Sequence, residues 1–141
     1  MNRCITLDNI YFTGYASVFG VVDIQNDCIM PYAFYNNLLT CQQVRLLFEH
    51  DPSQIIGTAI AKEDKHGLYI EGNITMRGRK GIYVQDLIKR FKLNYMSIGY
   101  VTKNSYIKDN IRHVTDASLH EVSLVSKPAN NYAKIQSVQY T

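Results

Sequence analysis

Alternation of apolar and polar residues commits much of this chain to strands. Between Ile5 and Val21 the residues Ile10, Phe12, Gly14 and Ala16 fall on one side, and Tyr11, Thr13, Tyr15 and Ser17 on the other. A period of two marks a half-buried strand. Tyrosine is abundant, with 11 copies and no tryptophan, and tyrosine and β-branched residues fit a pleated surface.

The pattern recurs down the chain. Ile24–Cys28 reads as a turn, because Asn and Asp tolerate turn geometry. Residues 30–40, "MPYAFYNNLLT", read as a short helix with Pro31 near its first turn. Val44, Leu46, Phe48 and His50 then share one face of a strand, opposite Arg45, Leu47 and Glu49, and Asp51-Pro52-Ser53 is expected to stop it. "IIGTAIAKED" and "GLYIEGNIT" form two strands around a hairpin at Lys65–Gly67. "MRGRKG" (Met76–Gly81) reads as a basic, flexible loop. Val84, Leu87, Ile88 and Phe91 lie at i, i+3, i+4 and i+7, which predicts an amphipathic helix over Gly81–Phe91. Ser97, Gly99 and Val101 share a strand face, and Lys108–Asn110 is a turn. One or two strands follow Ile111 and end in "LHEVSLV" (Leu119–Val125). Pro128 interrupts the ladder, and the tail "SKPANNYAKIQSV" is expected to finish as a short helix.

About seven strands and two or three helices predict a mainly β fold. The expected form is a closed or nearly closed β-barrel with peripheral helices, and an open sandwich is the alternative. The 141 residues suit one domain spanning 1–141. At 46% hydrophobic and 19% charged, the chain can build a core. The net charge of +3 comes from scattered residues, so a small nucleic-acid-binding barrel is a weak reading. Cys4, Cys28 and Cys41 cannot all pair internally and show no C-x-x-C spacing, which suggests reduced thiols. A Cys41–His50 nucleophile pair has no support around Cys41. No apolar run approaches the roughly 20 residues that span a bilayer, and the N-terminus lacks a signal-peptide core. A soluble chain is expected. His66 and His113 lack metal-ligand spacing, so neither metal nor cofactor is predicted. "MRGRKG" lacks the Gly-Lys-Ser/Thr ending of a P-loop.

Three residues stand out as chemistry on strands otherwise built for a core. His50 is either a satisfied rim residue or a base. Ser97 taken alone is an ordinary strand serine. Glu121 shares a face with Leu119, Ser123 and Val125, where a carboxylate needs a partner, solvent or an ion pair. Together they suggest nucleophilic catalysis. A serine hydroxyl needs a base within reach, and imidazole has a suitable pKa. The imidazole in turn needs an acceptor on its other nitrogen.

A resemblance sharpens this. "GYASVFGVVD" (Gly14–Asp23), "IMPYAF" (Ile29–Phe34), "VRLLFEHDPSQIIGTA" (Val44–Ala59), "EDKHGLYIEGNI" (Glu63–Ile74), "LNYMSIGY" (Leu93–Tyr100) and "LHEVSLVSKPAN" (Leu119–Asn130) occur in the order seen in tailed-phage prohead proteases. The chain resembles that family of capsid-maturation serine peptidases, which are distantly similar in fold to the herpesvirus assemblins. The resemblance implies His50 as general base, Ser97 as nucleophile and Glu121 as the orienting third member. Assemblins use a histidine as third member, which brings in His120, but alternation puts His120 on the opposite face from Glu121. Asp51 is expected to cap the turn. Oxyanion donors are expected among backbone amides near Ser97 or from Arg77 or Arg79.

The resemblance further implies cleavage of scaffold and major capsid protein, and of the protease's own ends. The work would take place inside an assembling procapsid in the bacterial cytoplasm, with a homodimer or higher oligomer as the working form and no membrane or specific nucleic-acid partner. Family members often continue into a removable tail, whereas this sequence closes with "KIQSVQYT" (Lys134–Thr141). The rival reading is an inactive capsid-assembly protein of the same fold.

Overall fold

The computed structural model describes residues 9–140; Cys4 and the start of the predicted strand at Ile5 lie outside them. Eight strands and two helices follow in the order β1 (Ile10–Val18), β2 (Asp27–Ile29), α1 (Tyr35–Leu38), β3 (Gln43–Phe48), β4 (Asp51–Glu63), β5 (Gly67–Ile74), α2 (Gly78–Lys89), β6 (Tyr95–Lys108), β7 (Ile111–Val125) and β8 (Ile135–Tyr140). The expected period of two holds in β1, where Ile10, Phe12 and Ala16 are buried.

One mixed sheet carries all eight strands, in the order β2-β7-β3-β4-β5-β1-β8, with β6 on β7. The long strand β7 has three neighbours. Its first residues pair in parallel with β2, its last residues pair in parallel with β3, and antiparallel β6 runs along its length. The sheet does not close into a barrel, contrary to the expectation. At the seam between β6 and the residues leading into β8, one isolated bridge forms among the described residues, Tyr95 with Lys134. Backbone bonds from Met96 N–H to Ala133 O (2.7 Å) and from Ile135 N–H to Asn94 O (2.9 Å) flank it. Gly14 makes this approach possible, since a Cβ there would lie 2.2 Å from Lys134 O and 2.7 Å from Met96 Cε.

The core gathers Phe12, Phe34, Leu46, Ile56, Leu68, Ile70, Met96 and Leu124, and Val84 and Ile88 of α2 join it. No helix among the described residues is long and apolar enough to cross a membrane.

Two further expectations are corrected. The tail does not end in a helix: Ile135–Tyr140 is strand β8, held on β1 with Phe12 opposite Val138. The basic stretch at Met76–Gly81 is not wholly a loop, because α2 already begins at Gly78. The helix closes through a left-handed Phe91 (φ 57). The Lys92 N–H reaches Leu87 O (2.9 Å) and the Phe91 N–H reaches Ile88 O (3.1 Å), which is a Schellman motif. Phe91 is 80% exposed, so its ring contributes little packing. Phe91→Gly is therefore expected to raise stability by about 1 kcal/mol, measurable by thermal or urea melting.

Candidate active site

His50 is not on a strand face as predicted. β3 and β4 pair out to Phe48 and Asp51, and only Glu49 and His50 join them. Both have left-handed backbones (φ 52 and 61), a conformation that costs a non-glycine residue roughly 1–2 kcal/mol. β7 and the residue after it offset that cost. The Glu49 N–H donates to Leu124 O (2.9 Å). The Ser126 N–H donates to the Glu49 carboxylate (2.6 Å), and the His50 N–H donates to Ser123 Oγ (3.1 Å). Asp51-Pro52-Ser53 does not form a stop but opens β4, where the Asp51 carboxylate accepts from the Ser53 N–H and Oγ (2.9 and 2.7 Å). Those bonds hold its carboxyl below the usual range.

The turn aims the imidazole at β7. His50 Nδ1 lies 2.7 Å from Glu121 Oε1. A carboxylate only accepts, so Nδ1 carries the proton and Nε2 keeps its lone pair. The Glu121 bond raises the pKa of His50 above the ordinary imidazole value, although partial burial pulls the other way. The second oxygen, Oε2, accepts from Ser123 Oγ at 2.7 Å. Glu121 and Ser123 are both buried.

β6 supplies the rest. Ser97 stands opposite Ser123 and Gly99 opposite Glu121. The carboxylate lies directly over Gly99, where a Cβ would be 2.5 Å from Oε1. Beyond this point the ladder skips His120, so that Tyr100 pairs with Leu119. Bulges of this kind re-aim side chains beside functional sites. His120 is exposed and Glu121 alone reaches the His50 ring.

Ser97 and His50 both line a cavity of about 300 Å³. Among the described residues no hydrogen bond joins the Ser97 hydroxyl to the His50 ring. Arg77 and Arg79 do not line this cavity, and Arg77 instead donates to Asn9 (2.7 Å). Cys41 lies outside it, exposed after α1. His113 stacks on Tyr106 at 4.7 Å, away from His66. No cluster of three or more potential metal ligands occurs among the described residues.

Sequence reasoning missed a polar cluster that includes two of the cavity's lining residues, Asp27 and Tyr100. Buried Asp27 accepts from Arg112 Nε and Nη2 (2.9 Å each) and from the Tyr100 hydroxyl (3.1 Å). Burial, reinforced by Asp27, pushes the Tyr100 phenol up to about 12. The Ile24 N–H donates to Ala129 O (3.1 Å), tying the loop before β2 to the segment after β7. The three residues sit in distant segments, and no spacing in the sequence announces them.

Comparisons with known proteins bear on this geometry. The KSHV protease, solved with a hexapeptide phosphonate inhibitor, superposes with a TM-score of 0.65 at 13% identity, covering 94% of this chain and 65% of its own. The varicella-zoster virus protease gives 0.58 at 13% identity, covering 94% and 64%. Both likenesses establish a herpesvirus-protease-like fold. In sequence, a prohead protease of Enterobacteria phage HK97 is 31% identical over 140 residues, which is 91% of this chain and 60% of that protein. The profile described as "Caudovirus prohead serine protease" matches residues 2–141. The chain is therefore a member of the caudovirus prohead serine protease family.

Proposed function

We propose that this chain is a serine endopeptidase that cleaves scaffold and major capsid protein during maturation of a phage procapsid. The observation that carries this reading is the 2.7 Å His50–Glu121 pair beside a cavity that Ser97 also lines. In the proposed mechanism His50 Nε2 removes the Ser97 proton as Oγ attacks the scissile carbonyl. The imidazolium, stabilised by Glu121, then protonates the leaving amine. Water, deprotonated by the same nitrogen, cleaves the resulting ester and frees Ser97. The proposed setting is the assembling procapsid, and the likeness in fold to herpesvirus proteases supports testing a homodimer or higher oligomer by spanning a range of protein concentrations in the assays.

The missing hydrogen bond between Ser97 and His50 favours a second reading, an inactive assembly protein of the same fold. Such bonds are often loose without substrate and tighten on binding. A fluorophosphonate separates the two. Covalent labelling at Ser97 that disappears in His50→Ala supports the enzyme. Folded protein that stays unlabelled at every concentration supports the assembly protein.

The labelling rate is expected to rise with pH, its acid limb lying above about 6.5, the ordinary imidazole value, because only neutral His50 acts as a base. The raised His50 pKa also gives the sign of a stability effect. The charged His50–Glu121 pair contributes fully below the unfolded-state value, and the contribution is lost as pH rises through the folded-state value. Activity is thus expected to appear where this increment of stability disappears. A labelling profile with its acid limb at or below the ordinary value would contradict the assignment of His50.

A further inference from the structure

We infer that Ser123 is a positioning residue for the proposed reaction, its one hydroxyl clamping both the Glu121 carboxylate and the backbone of His50. The inference rests on reading His50 as the base.

Ser123 is fully buried on β7, in a run with Val122, Leu124 and Val125. A buried hydroxyl needs partners, and here both belong to the candidate site. Its proton goes to Glu121 Oε2 (2.7 Å) and a lone pair receives the His50 N–H (3.1 Å). The carboxylate is thus gripped at both oxygens, by the imidazole on one and Ser123 on the other, with Gly99 beneath. It cannot swing away without breaking the second grip. The same oxygen anchors the amide of a left-handed residue in a non-glycine turn, so it fixes the base from the main chain as well as through its partner.

The charged and titratable groups facing the imidazole are few. Glu121 comes from β7 and Glu49 from the turn, while Asp23, Asp27, Tyr100 and Lys127 line the shared cavity. Of these Glu121 alone bonds the ring, so loosening it is what the ring's titration reports.

The test is Ser123→Ala in the full chain, with kcat and KM on a peptide substrate and the His50 ring pKa from NMR. The expected result is a folded protein whose kcat falls about 10- to 100-fold with KM within about twofold. Its His50 pKa should drop back toward the ordinary imidazole value. A variant with unchanged kcat overturns the inference, and so does a loss of activity with the His50 pKa unmoved. If Ser123→Ala fails to fold, amide hydrogen exchange on the unaltered chain decides: protection at His50 supports the clamp, and rapid exchange there overturns it. Unaltered protein that never labels at Ser97 would instead defeat the proposed reaction, and the pKa and exchange measurements would still judge the clamp.

Discussion

Ser97→Ala is expected to lower kcat by about 10⁴- to 10⁶-fold and to end fluorophosphonate labelling. Among the residues lining the cavity, Ser17 on β1 is the one other serine, threonine or cysteine. Stability should change by no more than about 1 kcal/mol, since the variant differs by one oxygen and keeps the strand pairing. His50→Ala makes an informative contrast. It should cost a comparable factor in rate, and it also strips Glu121 of its partner, so it should melt earlier. A Ser97→Ala chain that still cleaves peptide at the unaltered rate would remove Ser97 from the mechanism.

The second large effect is expected at a residue with no side chain. Gly99 does not adopt a left-handed backbone, so its necessity is steric. An added methyl would lie 2.5 Å from Glu121 Oε1, 2.9 Å from its Cγ and 3.0 Å from its Cδ. Glu121 would have to move, and with it the bonds to His50 and Ser123. Gly99→Ala is therefore expected to reduce kcat by about 10²- to 10⁴-fold, approaching the loss seen when the orienting carboxylate of a triad is disabled. It should also destabilise the fold by about 1–3 kcal/mol, as overpacking does. Steady-state kinetics and melting check both. The His50 pKa should fall in parallel, because the displaced carboxylate no longer raises it. Full activity in this variant would show that Glu121 need not stay where the structure holds it.

Much of this framework was legible from residue patterning. β1 and β5 were readable because their alternation is clean, and the turns at Lys65–Gly67 and Lys108–Asn110 because turn formers flank alternating runs. Family motifs then named His50, Ser97 and Glu121. The structure brings the first two to one cavity and bonds the third to His50. The turn at Glu49–His50 was not legible. It has no glycine or asparagine, and its left-handed pair survives through bonds to Ser123, Leu124 and Ser126, more than 70 residues away. β8 was mistaken for a helix because its residues are largely exposed and its order comes from pairing with β1. β2 is only three residues long, too short to express a period. Ser123 and Gly99 shared faces with Glu121 and Ser97 in the alternation, but nothing local distinguishes a clamp from a filler or a floor from a gap.

The three-neighbour strand has a consequence for synthesis on the ribosome. β7 is made after both β3 and β6, yet it provides the carboxylate, the clamping hydroxyl and the anchors of the His50 turn. A nascent chain that has emerged through residue 110 already contains both the imidazole and the nucleophile candidate, but nothing couples them. The order of the chain thus acts as a timer, leaving the imidazole without its carboxylate partner until β7 has been made.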